Sequence, residues 1–248
     1  MPRYFLEVRY MGTRYSGFQI QPGASTVQGE VERALATVLR RSVGLTGSSR
    51  TDAGVHALSN FFHFDSAYDV DQGILRGVNA LLPPDISALS LRRVADEAHC
   101  RYDAVSRRYR YRLHVRKDPF LCDRSWFLPY PLSEDALHET AAMLPGHASF
   151  RSFSKRRTQV GTYICQIRES RWERLDDGWL YHVQGDRFLR GMVRGLVGTM
   201  LQAARGRMGP SGFREILHAT DNLRTDFTPP GHGLTLVQVN FPEGLFIR

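Results

Sequence analysis

The chain has 248 residues, 42% of them hydrophobic and 23% charged, with a formal net charge of +8. That length can bury a full core as one large domain or two small ones, and the composition excludes a disordered or low-complexity chain. No apolar run approaches the ~18 residues a membrane span requires, so no membrane partner is expected. Met1-Pro2-Arg3-Tyr4-Phe5 enters an alternating pattern at once, without the apolar core of a signal peptide. Cys100, Cys122 and Cys165 are odd in number, widely spaced and lack a CxxC pair, which argues against a disulfide framework or zinc knuckle and fits a reducing cytoplasm. The cationic surplus is arginine rather than lysine. The planar guanidinium suits phosphate oxygens and stacks on bases, so a polyanionic partner is one reading and a merely basic surface the other.

Tyr4 to Tyr10 alternates as a first strand. A Gly-rich segment from Gly12 to Gly23 leads to a helix opening near Ser25 or Thr26, with Val27, Val31, Ala34, Leu35, Val38 and Leu39 on one face. The loop around Asp52 and a strand at Phe61 to Phe64 come next. A helix carrying Ile74, Val78 and Leu81 ends at Pro83-Pro84, and Ile86 to Val94 reads as a strand. In the second half, Arg107 to Val115 is a strand and Ser133 to Met143 a helix with Ser133 as its cap. Trp179 to Gln184 is a strand, Leu189 to Ala204 a long helix and Leu234 to Phe241 a closing strand. Consecutive strands and short loops favour an α+β fold, helices on a mostly antiparallel sheet, over a doubly wound one. A boundary is expected near residue 105, separating residues 1–104 from residues 105–248.

Arg50-Thr51-Asp52-Ala53-Gly54-Val55-His56 is the most informative stretch. It sets one carboxylate among small residues, as a loop pressed against a ligand would, although an ordinary turn has the same ingredients. On the strand from Arg107 to Val115, Tyr109, Tyr111, Leu113 and Val115 share one face, and Arg108, Arg110, Arg112 and His114 share the other. A core of tyrosines with solvated arginines explains this alternation. So does a nucleic-acid surface in which one tyrosine offers its ring to a base. On the helix from Leu189, with Val193 as zero, Arg194, Arg190 and Arg187 fall at roughly 100°, 60° and 120°, on one margin of the apolar stripe. A guanidinium there either reaches water or meets an anion, for which Asp52 or a phosphate would serve. No HxxxH or HxH pair points to a metal, and no phosphate-cradling or dinucleotide fingerprint is present. No metal and no cofactor are therefore expected. An RNA-binding helper without catalysis, or a metal-dependent nuclease using Asp52 and His56, are the other classes these residues allow.

Taken together, these motifs resemble the bacterial TruA-type tRNA pseudouridine synthases over nearly the whole chain. The 50–56 stretch agrees with that family's catalytic motif residue for residue. Thr26-Val27-Gln28-Gly29, Asn79-Ala80-Leu81-Leu82-Pro83, Arg107-Arg108-Tyr109-Arg110-Tyr111, Phe188-Leu189 with Met192-Val193-Arg194, and Gly233-Leu234 also match. Ser49, Met11, Phe18, Cys100 and Asp103 depart from the family's usual residues. The resemblance implies a pseudouridine synthase fold of two ferredoxin-like halves that share a mostly antiparallel sheet, with a basic cleft between them. It also implies a homodimer acting without cofactor on uridines 38, 39 and 40 of the tRNA anticodon stem-loop. By the same resemblance, Asp52 is the essential carboxylate, as nucleophile or as base. Tyr109 stacks on the uracil, Arg194 pairs with Asp52, Arg50 enters the RNA as the target flips out, and Leu234 lines the uracil pocket.

Overall fold

The computed structural model describes residues 1–155 and 161–247. In chain order its strands and α-helices are β1 (Arg3–Tyr10), α1 (Val27–Leu39), β2 (Thr46–Gly47), β3 (His56–Asp65), α2 (Ile74–Leu81) and β4 (Ile86–Val94). They continue with β5 (Ser106–His114), β6 (Trp126–Phe127), α3 (Glu134–Ala142), β7 (Ile167–Leu175), β8 (Gly178–Gly185), α4 (Met192–Ala204), α5 (Pro210–His218) and β9 (Leu234–Asn240). The chain separates into two compact units, residues 1–106 with 235–248, and residues 107–234. Strands and helices are segregated within each, which is the α+β class.

In the first unit β1 runs antiparallel between β4 and β3, and β3 takes both β2 and the parallel start of β9. β1, α1, β2, β3, α2 and β4 thus follow one another with sheet order β4-β1-β3-β2, the ferredoxin-like arrangement. The elements form where the sequence carries their signals. Thr26 caps α1 by accepting the Gly29 amide, and the helix buries Val27, Val31, Ala34 and Leu35. α2 closes where the Leu82 amide bonds to the Val78 carbonyl, just ahead of Pro83-Pro84. Leu6, Val8, Phe62 and Phe64 share one buried face of the sheet, and Phe5 lies on the other face against His63, Phe241 and Phe246.

The second unit repeats this rhythm as β5, α3, β7, β8 and α4, with β8 antiparallel to both β5 and β7. Ser133 caps α3 through the Ala136 amide. β7 and α5 carry little signal in the sequence. β7 reads Ile-Arg-Glu-Ser-Arg-Trp-Glu-Arg-Leu and buries only Ile167 and Trp172, so charge masks its alternation. α5 opens on Pro210 and buries just Phe213, Ile216 and Leu217.

His63 sits inside the first unit, 7% exposed, where its Nδ1 accepts the Cys100 amide at 3.3 Å. Burial holds its pKa down at about 4, with the charges of His99 and Arg3 acting in the same direction. The unfolded chain therefore takes up this proton first as pH falls. His63 should remove about 3 kcal/mol of stability between pH 6.5 and 4, from the pKa difference at ~1.36 kcal/mol per unit. Denaturant titrations across this range should show a shallower acid loss in His63→Gln than in the parent. Parallel curves would mean that His63 does not titrate this way.

Candidate active site

The loop carrying Asp52 is anchored on its inward side and open on its outward side. Asn60 is fully buried, and its Nδ2 donates to the Ser49 carbonyl at 2.9 Å and to the Tyr10 hydroxyl at 3.1 Å. The Tyr10 hydroxyl lies 2.7 Å from Thr51 Oγ1. One buried chain of polar groups thus ties β1 and β3 to residues 49 and 51. The Phe18 amide donates to the Thr51 carbonyl, and the Gly12 amide donates to His56 Nδ1 at 2.9 Å. A Cβ at Gly12 would stand 2.0 Å from the Val55 carbonyl oxygen, so only glycine lets these two segments meet. His56 Nδ1 is thereby committed to the backbone, a structural role.

The tip itself is a turn closed by the Val55 amide on the Asp52 carbonyl, with Gly54 at φ 78° in its third position. That φ is what the turn demands of its third residue and is strained for any side chain but the smallest. Thr51 and Val55 point inward and are buried, Arg50 and Ala53 are exposed, and Asp52 is half-buried. The ordinary-turn reading and the ligand-loop reading both hold. The turn is ordinary, and it presents a carboxylate on a backbone fixed on either side. Two departures from the family pattern join this support. Phe18 stacks on Phe62 with ring centroids 4.5 Å apart, and buried Ser49 supplies the carbonyl that Asn60 grips.

In the second unit, Tyr111 is fully buried. Its hydroxyl donates to the Pro230 carbonyl at 2.9 Å, and burial pushes its pKa well above the usual phenol range. Tyr109 is 8% exposed and meets the edge of Phe188 at 5.2 Å between centroids. The expected basic face of β5 is largely paired within its own sheet. Arg112 bonds Asp177 at 2.6 Å, and Arg108 bonds Gln184 and lies 3.5 Å from Glu169. His114, at the end of the same alternation, is buried against Ser125 and not solvated.

α4 begins at Met192, three residues later than the sequence suggests, with Gly191 at φ 73° as its N-cap. Arg187 and Arg190 precede the helix, so their helical angles do not apply. Arg194 stays on α4, where its Nε donates to the Pro229 carbonyl at 2.6 Å and an Nη to the Phe227 carbonyl at 3.3 Å. Partly buried, it is gripped by backbone oxygens. Leu234 is 6% exposed at the start of β9. Sequence reasoning missed the support residues Tyr10, Asn60 and Phe188 and the segment from Thr225 to Pro230. An asparagine just ahead of a run of phenylalanines, a Pro-Pro-Gly after Asp226 and the place of Phe188 in a matching motif, with no role attached to it, were the signals available.

Removing one phenol oxygen tests the anchoring. Tyr10→Phe should lower unfolding free energy by about 1–3 kcal/mol, because Thr51 and Asn60 each lose a buried partner. Amide hydrogen exchange at residues 50–55 should accelerate while α1 stays protected. Unchanged exchange there would show that the loop is held by something else.

A profile of the tRNA pseudouridine synthase family matches residues 7–103 and 140–242. A protein of Parabacteroides distasonis named tRNA pseudouridine synthase A is 42% identical over 248 residues, 99% of this chain and 98% of its own. The protein of that name from Porphyromonas gingivalis is 40% identical over 252 residues and covers both chains fully. One from Staphylococcus aureus strain MRSA252 is 34% identical over 249 residues, 99% of this chain and 94% of its own. With the profile covering most of both units and full-length relatives above 30% identity, this chain belongs to the tRNA pseudouridine synthase family.

Proposed function

We propose that this protein converts uridine to pseudouridine at positions 38, 39 and 40 of the tRNA anticodon stem-loop, using no metal or cofactor. The bond between uracil N1 and ribose C1′ breaks, the base turns, and C5 bonds to C1′ while its proton leaves and N1 regains one. The atoms of the substrate are conserved, so the chemistry needs only a carboxylate, a stacking ring and positioned charge. Membership of the family, joined to an anchored loop that offers Asp52 at its tip, is the observation that carries this reading.

In this reading Asp52 is the essential carboxylate, and Arg194 pairs with it to keep it ionised and aimed. Tyr109 stacks on the target uracil, and Leu234 lines its pocket. Arg50, exposed two residues before Asp52 on the same loop, enters the RNA as the target leaves its stack. Reaching three adjacent positions calls for recognition by shape and backbone, which the excess of arginine supports. The protein acts in the cytoplasm as a homodimer on tRNA, as the resemblance to its family implies.

Asp52→Asn should suppress tritium release from tRNA labelled at uridine C5 by about a thousandfold or more. Its affinity for tRNA should persist. Turnover at the parent rate in that variant would remove Asp52 from the mechanism, and equal activity on a tRNA lacking uridine at 38, 39 and 40 would move the target elsewhere.

A further inference from the structure

The segment from Thr225 to Pro230 and helix α4 hold each other reciprocally. The segment gives its Phe227 and Pro229 carbonyls to Arg194, in the first turn of the helix. Later turns of the helix grip the segment through Asp226. Thr199 Oγ1 accepts the Asp226 amide at 3.2 Å and itself donates to the Gly195 carbonyl. Gln202 Nε2 donates to Asp226 Oδ2 at 2.6 Å. The other carboxylate oxygen accepts both the amide and the hydroxyl of Thr228, folding the segment back on itself.

Several features make this arrangement stiff. A Cβ at Gly198 would lie 2.2 Å from the Asp226 carbonyl oxygen, so the segment crosses the helix at backbone contact. Thr225 Oγ1 is tied to the Ser152 carbonyl at 2.7 Å. Pro229 and Pro230 restrict the backbone that bears the acceptor for Arg194, and the Pro230 carbonyl takes the Tyr111 hydroxyl. Asp226 remains charged although burial opposes it, because the donors of Thr228 and Gln202 outweigh that penalty.

We propose that residues 225–230 form a positioning strap that sets the plane of the Arg194 guanidinium, and that Asp226 is the residue anchoring it. Two carbonyl acceptors on one edge of the guanidinium fix its rotation, so the remaining N–H groups keep one direction. A rotation or shift of this group by an ångström would misaim any carboxylate it pairs with. Asp226 touches no reacting atom and acts only through Arg194. The inference rests on the reading in which Arg194 serves the catalytic carboxylate.

Single-turnover pseudouridine formation, tRNA affinity and thermal unfolding decide it for Asp226→Ala, Asp226→Asn, Arg194→Lys and the Asp226→Ala, Arg194→Lys double variant. Asp226→Ala should react about 10- to 100-fold more slowly, with tRNA affinity within about threefold of the parent. Asp226→Asn keeps an acceptor for Thr228 and should recover most of that rate. The double variant should be no slower than Arg194→Lys alone, because the strap has nothing left to aim. Losses that multiply in the double variant, or full activity in Asp226→Ala, would overturn the proposal. Should Asp226→Ala fail to fold, Gln202→Met removes one anchor alone and should slow the reaction in the same direction, and a folded Gln202→Met at the parent rate would overturn it. Parent turnover in Arg194→Ala would instead defeat the reading of Arg194, whereas an inactive Arg194→Ala beside a fully active Asp226→Ala defeats the strap alone.

Discussion

A buried hydroxyl holds the Asp52 loop in shape. Tyr10 Oη stands between Thr51 Oγ1 and Asn60 Nδ2, and Asn60 also takes the Ser49 carbonyl. All these groups are out of water, where a polar atom without a partner costs more than a satisfied one gains. The loop therefore cannot drift without stranding several groups at once. This cost makes a stretch of small residues rigid enough to present one carboxylate in one place.

The same economy recurs in the second unit with a charge in place of a hydroxyl. Arg194 is partly buried, and a guanidinium taken from water needs oxygen atoms around it. Backbone carbonyls of Phe227 and Pro229 supply two of them without adding a competing negative charge. A carboxylate in their place would have neutralised the arginine within its own unit. Carbonyls orient it without neutralising it. Glycines on α4 allow the acceptor segment close enough to do this.

The arginines of β5 show the opposite outcome. Arg108 and Arg112 meet Gln184, Glu169 and Asp177 across and beside the sheet. These half-exposed pairs contribute little stability individually, on the order of 0–1 kcal/mol. Their effect is to spend charge locally. Net charge alone therefore overstates how many arginines of this strand face a polyanion, and exposed Arg50 on the loop tip is a different case.

The sequence by itself determined the α+β class, most strands and helices and the identity of the candidate loop. Those features are written in local patterns. Alternation marks β1, β4 and β5, helical spacing with a Thr or Ser cap marks α1 and α3, and Asp-Ala-Gly marks the turn. β7 stayed hidden because a charged strand has no clean alternation, and the start of α4 was misplaced because Gly191 and Arg190 do not announce a break. The tertiary structure alone decided which polar groups meet. Tyr10 lies 50 residues from Asn60, and Arg194 lies 35 from Pro229. Such pairings depend on sheet register and on close backbone approach, and neither leaves a periodic trace in the chain.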